Sequence, residues 1–125
     1  MLREGTFYDC DNLENVTLSE GITSIGNPNN YTNRSGAFEN CTNLNSIKLP
    51  STLEYIGKDA FRGCTGLTSI TIPDSVTSIE RFAFSSWTAD QTIYCEAETQ
   101  PSGWNSSWKS DEVKVEWGYK PTPET

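Results

Sequence analysis

The sequence predicts a repeat solenoid built mainly from short parallel β-strands, and two observations lead to this fold class. Residues 36–59 and 60–82 are two copies of one unit, and a third copy begins directly after them. Seven columns of similar residues recur 23 positions apart, among them the column of Phe38, Phe61 and Phe84. A fixed period of about 20–50 residues is typical of proteins whose repeats stack on one another.

Each unit contains two short strand patterns separated by a proline. The first alternates apolar and polar residues, as in residues 44–49, and the second is shorter, as in residues 53–56. Pro50 follows the first pattern, at a place where a proline can end a strand without loss of an interior hydrogen bond. The connecting Gly-x-x-Ala-Phe-x-x-Cys stretch is too short for a standard helix and predicts a helical or 3-10 turn. Each unit should therefore add one strand to each of two parallel sheets.

The same columns predict how the whole chain is divided. Phe7 lies 31 residues before Phe38, eight more than the period, and the surplus is a polar run rich in turn formers. Near the other end the columns become irregular, as expected of a terminal repeat that must cover the core. The predicted solenoid spans residues 1–118, with repeats at 1–25, 36–59 and 60–82, a loop insertion at 26–35, a degenerate capping coil at 83–118, and a tail at 119–125.

The unit resembles the BspA-like leucine-rich repeat (23-residue, Treponema-type) of bacterial surface proteins. The family unit runs Leu-x-x-Ile-x-Ile-Pro-x-x-Val-x-x-Ile-Gly-x-x-Ala-Phe-x-x-Cys, and residues 36–84 match it almost throughout. Residues 2–25 match apart from the insertion, and residues 93–98, 101–104 and 117–120 resemble a C-terminal closure common in that family.

The resemblance implies a curved leucine-rich-repeat solenoid wound as a right-handed coil, with short parallel strands and helical or 3-10 turns. It also implies secretion or cell-surface display, adhesion or binding to a host or matrix protein, and no catalytic residues. Met1 leads straight into repeat sequence without a signal peptide. We therefore expect the chain to be a C-terminal fragment of a longer exported protein.

Charge and hydropathy argue against two classes of partner. The chain has nine lysines and arginines against 17 aspartates and glutamates, a net charge of −8. Such a balance does not suit nucleic acids, whose phosphates are neutralised by Lys and Arg, or anionic membrane surfaces. No stretch approaches the roughly 20 apolar residues of a membrane span, so no membrane insertion is expected.

The cysteines favour a structural interpretation over a chemical one. Cys10, Cys41 and Cys64 share one column, and parallel side chains in a ladder do not turn their Cβ atoms towards each other. The chain has no histidine and no Cys-x-x-Cys pair. Buried thiols are therefore favoured, with a disulfide and a metal site as the alternatives, and no cofactor is expected.

Enzymatic and sugar-binding interpretations depend on the C-terminal segment. Without histidine there is no Ser-His or Cys-His nucleophile pair. Glu96 and Glu98 lie two apart, near Trp104 and Trp108, and paired carboxylates beside aromatic rings can indicate a sugar site or glycoside hydrolysis. The alternative is that the tryptophans plug the end of the core. Exposed rings would favour the first interpretation and buried rings the second.

A candidate binding surface follows from the polar positions of the first strands. Two outward columns are predicted, Asn15, Ser46 and Ser69 in one, and Thr17, Lys48, Thr71 and Tyr94 in the other. Small hydroxyl residues are also tolerated on any exposed parallel ladder, so the alternative is a surface without a binding role. The sequence thus predicts a non-enzymatic, cell-surface or secreted protein that binds a protein partner. A carbohydrate-binding module that uses Trp104 and Trp108, or a structural spacer, are the alternatives.

Overall fold

The computed structural model describes residues 7, 8, 10, 12–26 and 36–120. They form short β-strands joined by turns. The strands are β1 (Asn15–Thr17), β2 (Ser24–Ile25), β3 (Ser46–Lys48), β4 (Tyr55–Ile56), β5 (Ser69–Ile72), β6 (Ser78–Ile79), β7 (Thr92–Cys95) and β8 (Lys114–Glu116).

All strand pairs among the described residues are parallel, and they form two ladders of repeated positions. The first strands of the repeats form the pair β1-β3 and the three-stranded sheet β5-β7-β8, which together we call the first ladder. The second strands form one continuous sheet, β2-β4-β6, the second ladder. The register places Ile70 beside Ile93 and Ile56 beside Ile79, as the 23-residue period predicts. The structure therefore confirms a repeat β fold with parallel sheets.

The turn around each phenylalanine differs from the prediction, since no helical or 3-10 residue occurs in residues 36–120. The N–H groups of Phe38 and Asn40 donate to the next repeat, to the carbonyls of Ala60 and Arg62, both at 2.8 Å. Only the intervening bonds, such as Cys41 N–H to the Phe38 carbonyl (3.2 Å), close within the turn. A helix cannot form because half of its donors are used between repeats.

A left-handed residue repeats at the same point of each turn and also stops a helix from forming. It is Asn40, Gly63 and Ser86, with φ values of 61°, 76° and 67°. Non-glycine residues adopt this conformation at a cost, and asparagine and glycine tolerate it best. The left-handed backbone therefore restricts which residues can precede Cys41, Cys64 and Trp87.

The phenylalanine column forms the centre of the core. The rings of Phe7, Phe38, Phe61 and Phe84 stack with centroids 5.2, 5.3 and 5.3 Å apart. Such aromatic contacts contribute about 0.5–1.5 kcal/mol beyond the burial of their area. The stack ends where Trp87 and Trp108 meet Phe84 edge-on, at 5.2 and 5.8 Å.

The cysteine column makes a hydrogen bond that repeats with the period. The thiol of Cys41 donates to the Phe7 carbonyl (2.9 Å), and the thiol of Cys64 donates to the Phe38 carbonyl (3.0 Å). Trp87, at the next position of this column, places its indole N–H in the same role, 2.9 Å from the Phe61 carbonyl. Cysteine and tryptophan at this position each donate a hydrogen bond to the phenylalanine carbonyl of the preceding repeat, and valine or alanine could not.

The burial of the Cys64 thiol should make the stability of the protein depend on pH. Burial first, and then the neighbouring Cys41, raise the pKa of the Cys64 thiol from 9.0 to about 12. The folded protein therefore keeps this proton at pH values where the unfolded chain releases it. Stability linked to Cys64 should be constant below about pH 9 and fall between pH 9 and 12, by up to ~1.4 kcal/mol per pH unit.

Urea unfolding of the wild type and of Cys64→Ala between pH 7 and pH 10 tests this prediction. The wild type should be the more stable protein at pH 7, and its advantage should shrink above pH 9. An advantage that is independent of pH would contradict the assigned burial of the thiol.

The C-terminal segment continues both parallel ladders. Ile93 pairs with Val115 across β7 and β8, and an isolated parallel bridge joins Ile79 to Trp104. The predicted tail starts at Tyr119, yet the Tyr119 N–H donates to the Cys95 carbonyl at 2.9 Å. Residues 117–120 therefore fold back onto the end of β7. Most of the predicted loop insertion (27–35), part of the first repeat and residues 121–125 lie outside the described residues.

Candidate functional site

Among the described residues, the first ladder is interrupted between β3 and β5, although the sequence repeat continues through this level. Within residues 36–120, β3 and β5 lie next to each other but belong to different hydrogen-bonded sheets. The second ladder continues past this level through β4 and β6, and the Phe38–Phe61 ring contact is as close as the others in the stack. The second and third repeats are therefore joined along the core and along one ladder, while the other ladder is open.

The hydrogen bonds that a closed ladder would contain can be identified from the neighbouring levels. Thr92 N–H donates to the Thr68 carbonyl (3.0 Å), so even-numbered residues of β5 face β7. Lys48 accepts from Leu18 N–H (3.1 Å), so even-numbered residues of β3 face β1. Because alternate residues of a strand point their backbone groups to opposite sides, the odd-numbered residues face the interruption. These are Ile47, Leu49, Ser69 and Thr71, together with Asn45, although the Asn45 N–H itself donates to the Glu14 carbonyl on the β1 side at 2.8 Å.

A cleft of about 470 Å³ lies at this interruption, and all five of those residues line it. Its apolar lining includes Ile47, which is half-buried, whereas the equivalent Ile70 is only 2% exposed. Ser51 and Pro73 lie towards the carboxyl ends of the two strands. The cleft thus combines unpaired strand edges, an apolar side chain and hydroxyl groups.

Charged side chains surround the carboxyl end of the cleft, and most are acidic. The Glu20 carboxylate accepts hydrogen bonds from the Ser51 N–H (3.1 Å) and hydroxyl (2.9 Å). These bonds lower the pKa of Glu20. On the opposite wall, Glu96 accepts from the Asp74 N–H at 3.1 Å. Lys48 is the one cation among the lining residues.

The interruption divides the predicted surface residues into two groups, one on β1 and β3 and the other on β5 and β7. Asn15 and Thr17 pair with Ser46 and Lys48, and the Ser46 hydroxyl donates to the Asn15 side-chain oxygen at 2.5 Å. On the other side, Thr71 pairs with Tyr94. Thr71 and Tyr94 are half-buried. The other five predicted residues are exposed: Asn15, Thr17, Ser46, Lys48 and Ser69. Four of the predicted seven line the cleft itself: Ser46, Lys48, Ser69 and Thr71.

The two predicted tryptophans are not surface residues, and this corrects the sugar-binding alternative. Trp104 is 5% exposed and Trp108 is 1% exposed. The Trp104 indole N–H donates to the Val76 carbonyl (3.2 Å), and its ring lies 4.9 Å from that of Trp108. A sugar needs an accessible aromatic face, and these faces are covered by each other and by Phe84 and Trp117. The rings instead close the core.

The acidic pair that accompanied those tryptophans is also divided. Glu96 lines the cleft, whereas Glu98 points to solvent and forms an ion pair with Lys120 at 3.4 Å. The two carboxylates therefore do not face one buried sugar site beside Trp104 and Trp108.

Sequence reasoning missed several residues of the cleft. Glu20 and Ser51 follow the strands in turns, where no periodic pattern marks them, and their hydrogen bonds cross between two repeats. Tyr119 was assigned to the tail, but it lines the cleft, and its ring lies 4.7 Å from that of Tyr94. Its neighbour Tyr94 is the only aromatic residue of its outward column, so the sequence pattern gave no indication of a second ring there.

Two further properties of the described part of the chain bear on function. It contains no group of three or more Cys, Asp or Glu side chains placed to hold a metal ion. It also contains no helix long and apolar enough to cross a membrane.

Parallel ladders of repeated short strands around a phenylalanine stack define the class as a repeat β protein. The family model described as "BspA type Leucine rich repeat region (6 copies)" matches residues 1–35 and 32–101. The chain therefore belongs to the BspA-type leucine-rich repeat family. No curated protein matches the chain, and no solved structure does.

Proposed function

We propose that the chain is a non-catalytic protein-interaction module, and that the exposed face of the first ladder is its binding surface. The observation that carries this proposal is the position of the cleft, which opens among the outward columns of β3 and β5. Membership in the BspA-type family supports it, because that family commonly acts in protein interaction or adhesion and is generally non-enzymatic.

The proposal includes the setting in which the module acts. We infer that its repeats stack as a right-handed solenoid, and that it is displayed on a bacterial surface or secreted, as family members typically are. The partner would then be a host or matrix protein. Exposed strand side chains on successive repeats are suited to a partner that lies along several repeats.

A binding screen against purified matrix proteins tests this function, with two variants of the proposed surface. Lys48→Glu and Tyr94→Ala change side chains of the outward columns without touching the phenylalanine stack. Each should weaken binding of any matrix protein that the wild type captures, by about tenfold if the side chain is a central contact.

Matched controls distinguish this surface from the rest of the molecule. Lys58→Glu makes the same charge change just after the second-ladder strand β4, and Tyr8→Ala removes a tyrosine that is 44% exposed and is not part of a first-ladder strand. Both should bind like the wild type. Equal losses in the controls would place the binding surface elsewhere, and no captured protein at all would favour the spacer.

A further inference from the structure

The cleft at the interruption has the size of a ligand site and an aromatic wall. Its volume of about 470 Å³ lies within the roughly 300–1,000 Å³ of protein ligand pockets. It opens on the outward face of the first ladder, where Lys48 and Thr71 line it. The Tyr119 ring, 37% exposed, lines it as well and packs 4.7 Å from the Tyr94 ring. A single long side chain can enter this space from solvent without separating the strands.

Two carboxylates reach the cleft from the repeats on either side of the interrupted level. Glu20, in the turn after β1, accepts hydrogen bonds from the N–H and hydroxyl of Ser51. Glu96, directly after β7, accepts one from the N–H of Asp74. Ser51 and Asp74 occupy the same position 23 residues apart, so they lie on adjacent levels. The hydrogen bonds therefore hold the two carboxylates near each other, one reaching the level from each side.

Neither carboxylate is neutralised by an ion pair. The ion pairs among the described residues lie elsewhere, and Lys48, the one cation that lines the cleft, forms none with Glu20 or Glu96. An ionised carboxylate has about four acceptor sites. Hydrogen bonds from the protein use two of these sites on Glu20 and one on Glu96. Both side chains are thus held in place and can still accept hydrogen bonds from a positively charged donor.

A guanidinium group is the donor that suits these features best. It is planar and always charged, it presents five N–H donors in a fixed fork, and it stacks on aromatic faces. It can therefore bond to two carboxylates while one of its faces lies on a tyrosine ring. The net charge of −8 on the whole chain favours the approach of a cationic partner and disfavours an acidic one.

We propose that the cleft between β3 and β5 receives an arginine side chain of the protein partner. The guanidinium donates hydrogen bonds to the carboxylates of Glu20 and Glu96, and its flat face lies on the Tyr119 ring. This inference rests on the proposed protein-binding function and names the group of the partner that the surface recognises.

Titration with a small probe, followed by NMR on the whole chain, tests the site. The probe is N-acetyl-arginine amide, and the control is its uncharged isostere, N-acetyl-citrulline amide. The arginine probe should shift the Ser51 and Asp74 amide signals and the Tyr119 ring signals, and the shifts should saturate with a Kd of roughly 1–10 mM. The citrulline probe should bind at least about fivefold more weakly. Equal binding of the two probes, or no saturation with arginine, would overturn the proposal.

Glutamine variants show whether the two carboxylates are the acceptors. Glu20→Gln and Glu96→Gln preserve the shape of the side chain and remove its charge, and each should weaken the arginine probe by about threefold to fivefold. Glu54→Gln makes the same change at an exposed residue that does not line the cleft, and it should leave the Kd unchanged. An equal loss in Glu54→Gln would show an effect of net charge alone and would contradict the site.

A pair of substitutions at Tyr119 tests the aromatic contact. Tyr119→Leu removes the ring and should weaken the arginine probe by about twofold to fivefold, the usual effect of an exposed cation–π contact. Tyr119→Phe retains the ring and should bind like the wild type. If both variants lost the same affinity, the stacking of the guanidinium on the ring would be wrong.

The Lys48→Glu variant separates this inference from the proposed function. In the screen it should weaken a matrix protein because it removes a contact with Lys48. The isolated arginine probe should instead bind at least as tightly, because the substitution adds negative charge beside the cleft. A weaker arginine probe in this variant would overturn the inference and leave the screen unaffected. Arginine binding without any captured matrix protein would support the site and contradict the matrix-protein function.

Discussion

Replacing Phe61 by alanine should lower the free energy of unfolding by about 3–5 kcal/mol. Phe61 is fully buried and stacks on both Phe38 and Phe84, at 5.3 Å on each side. The substitution leaves a cavity in the middle of the column, and the rings above and below cannot close it because their own repeats fix them. Urea unfolding followed by tryptophan fluorescence measures the loss.

Phe82→Ala is the control for this experiment. Phe82 lies in the same repeat region but is 37% exposed, so its removal opens no cavity and should change stability by about 0.5 kcal/mol or less. A loss below ~1 kcal/mol for Phe61→Ala would contradict the stacked column as the centre of the core.

Replacing Trp87 by alanine should have a comparable effect, about 3–5 kcal/mol, for two reasons that can be separated. The ring closes the phenylalanine stack edge-on against Phe84, and its N–H donates to the Phe61 carbonyl at 2.9 Å. Trp87→Phe retains most of the ring but not the donor. It should therefore cost less, with about 0.5–1.5 kcal/mol of its loss due to the hydrogen bond.

Trp117→Ala provides a comparison at the same end of the molecule. Trp117 is 36% exposed, and it packs beside Trp104 rather than under the stack. Thermal unfolding of the three variants should rank Trp87→Ala as the least stable. If Trp117→Ala lowered the stability as much as Trp87→Ala, the end of the core would depend on the partly exposed Trp117 ring and not on the Trp87 ring at the end of the phenylalanine stack.

The register of the ladders could be predicted because it depends only on the period. Once Ile70 and Ile93 are assigned to one column, parallel stacking leaves no other partner for them, and the observed pairing agrees. The interruption between β3 and β5 could not be predicted in this way. Residues 44–49 and 67–72 carry the same alternation, so nothing in either strand distinguishes an open level from a closed one.

The roles of individual side chains were harder to predict wherever a second repeat decides them. Cys64 reads as a small apolar residue in its own repeat, and its donor role appears only beside the Phe38 carbonyl. Trp104 and Trp108 lie in a turn-rich stretch with no period, so the sequence could not tell the core side from the solvent side. Their burial is settled by contacts with Phe84 and Val76.

The direction of the turn hydrogen bonds limits how such an array can grow or shrink. Each phenylalanine N–H donates forward along the chain, from Phe38 to Ala60 and from Phe61 to Ala83, and the last one is received by the Trp108 carbonyl. Duplication of a whole 23-residue unit inside the array would give every donor a new acceptor of the same kind. Loss of residues 83–120 would instead leave the Phe61 N–H without the Ala83 carbonyl. The number of repeats is thus free to vary during evolution in whole units, while the terminal closure has to be inherited intact.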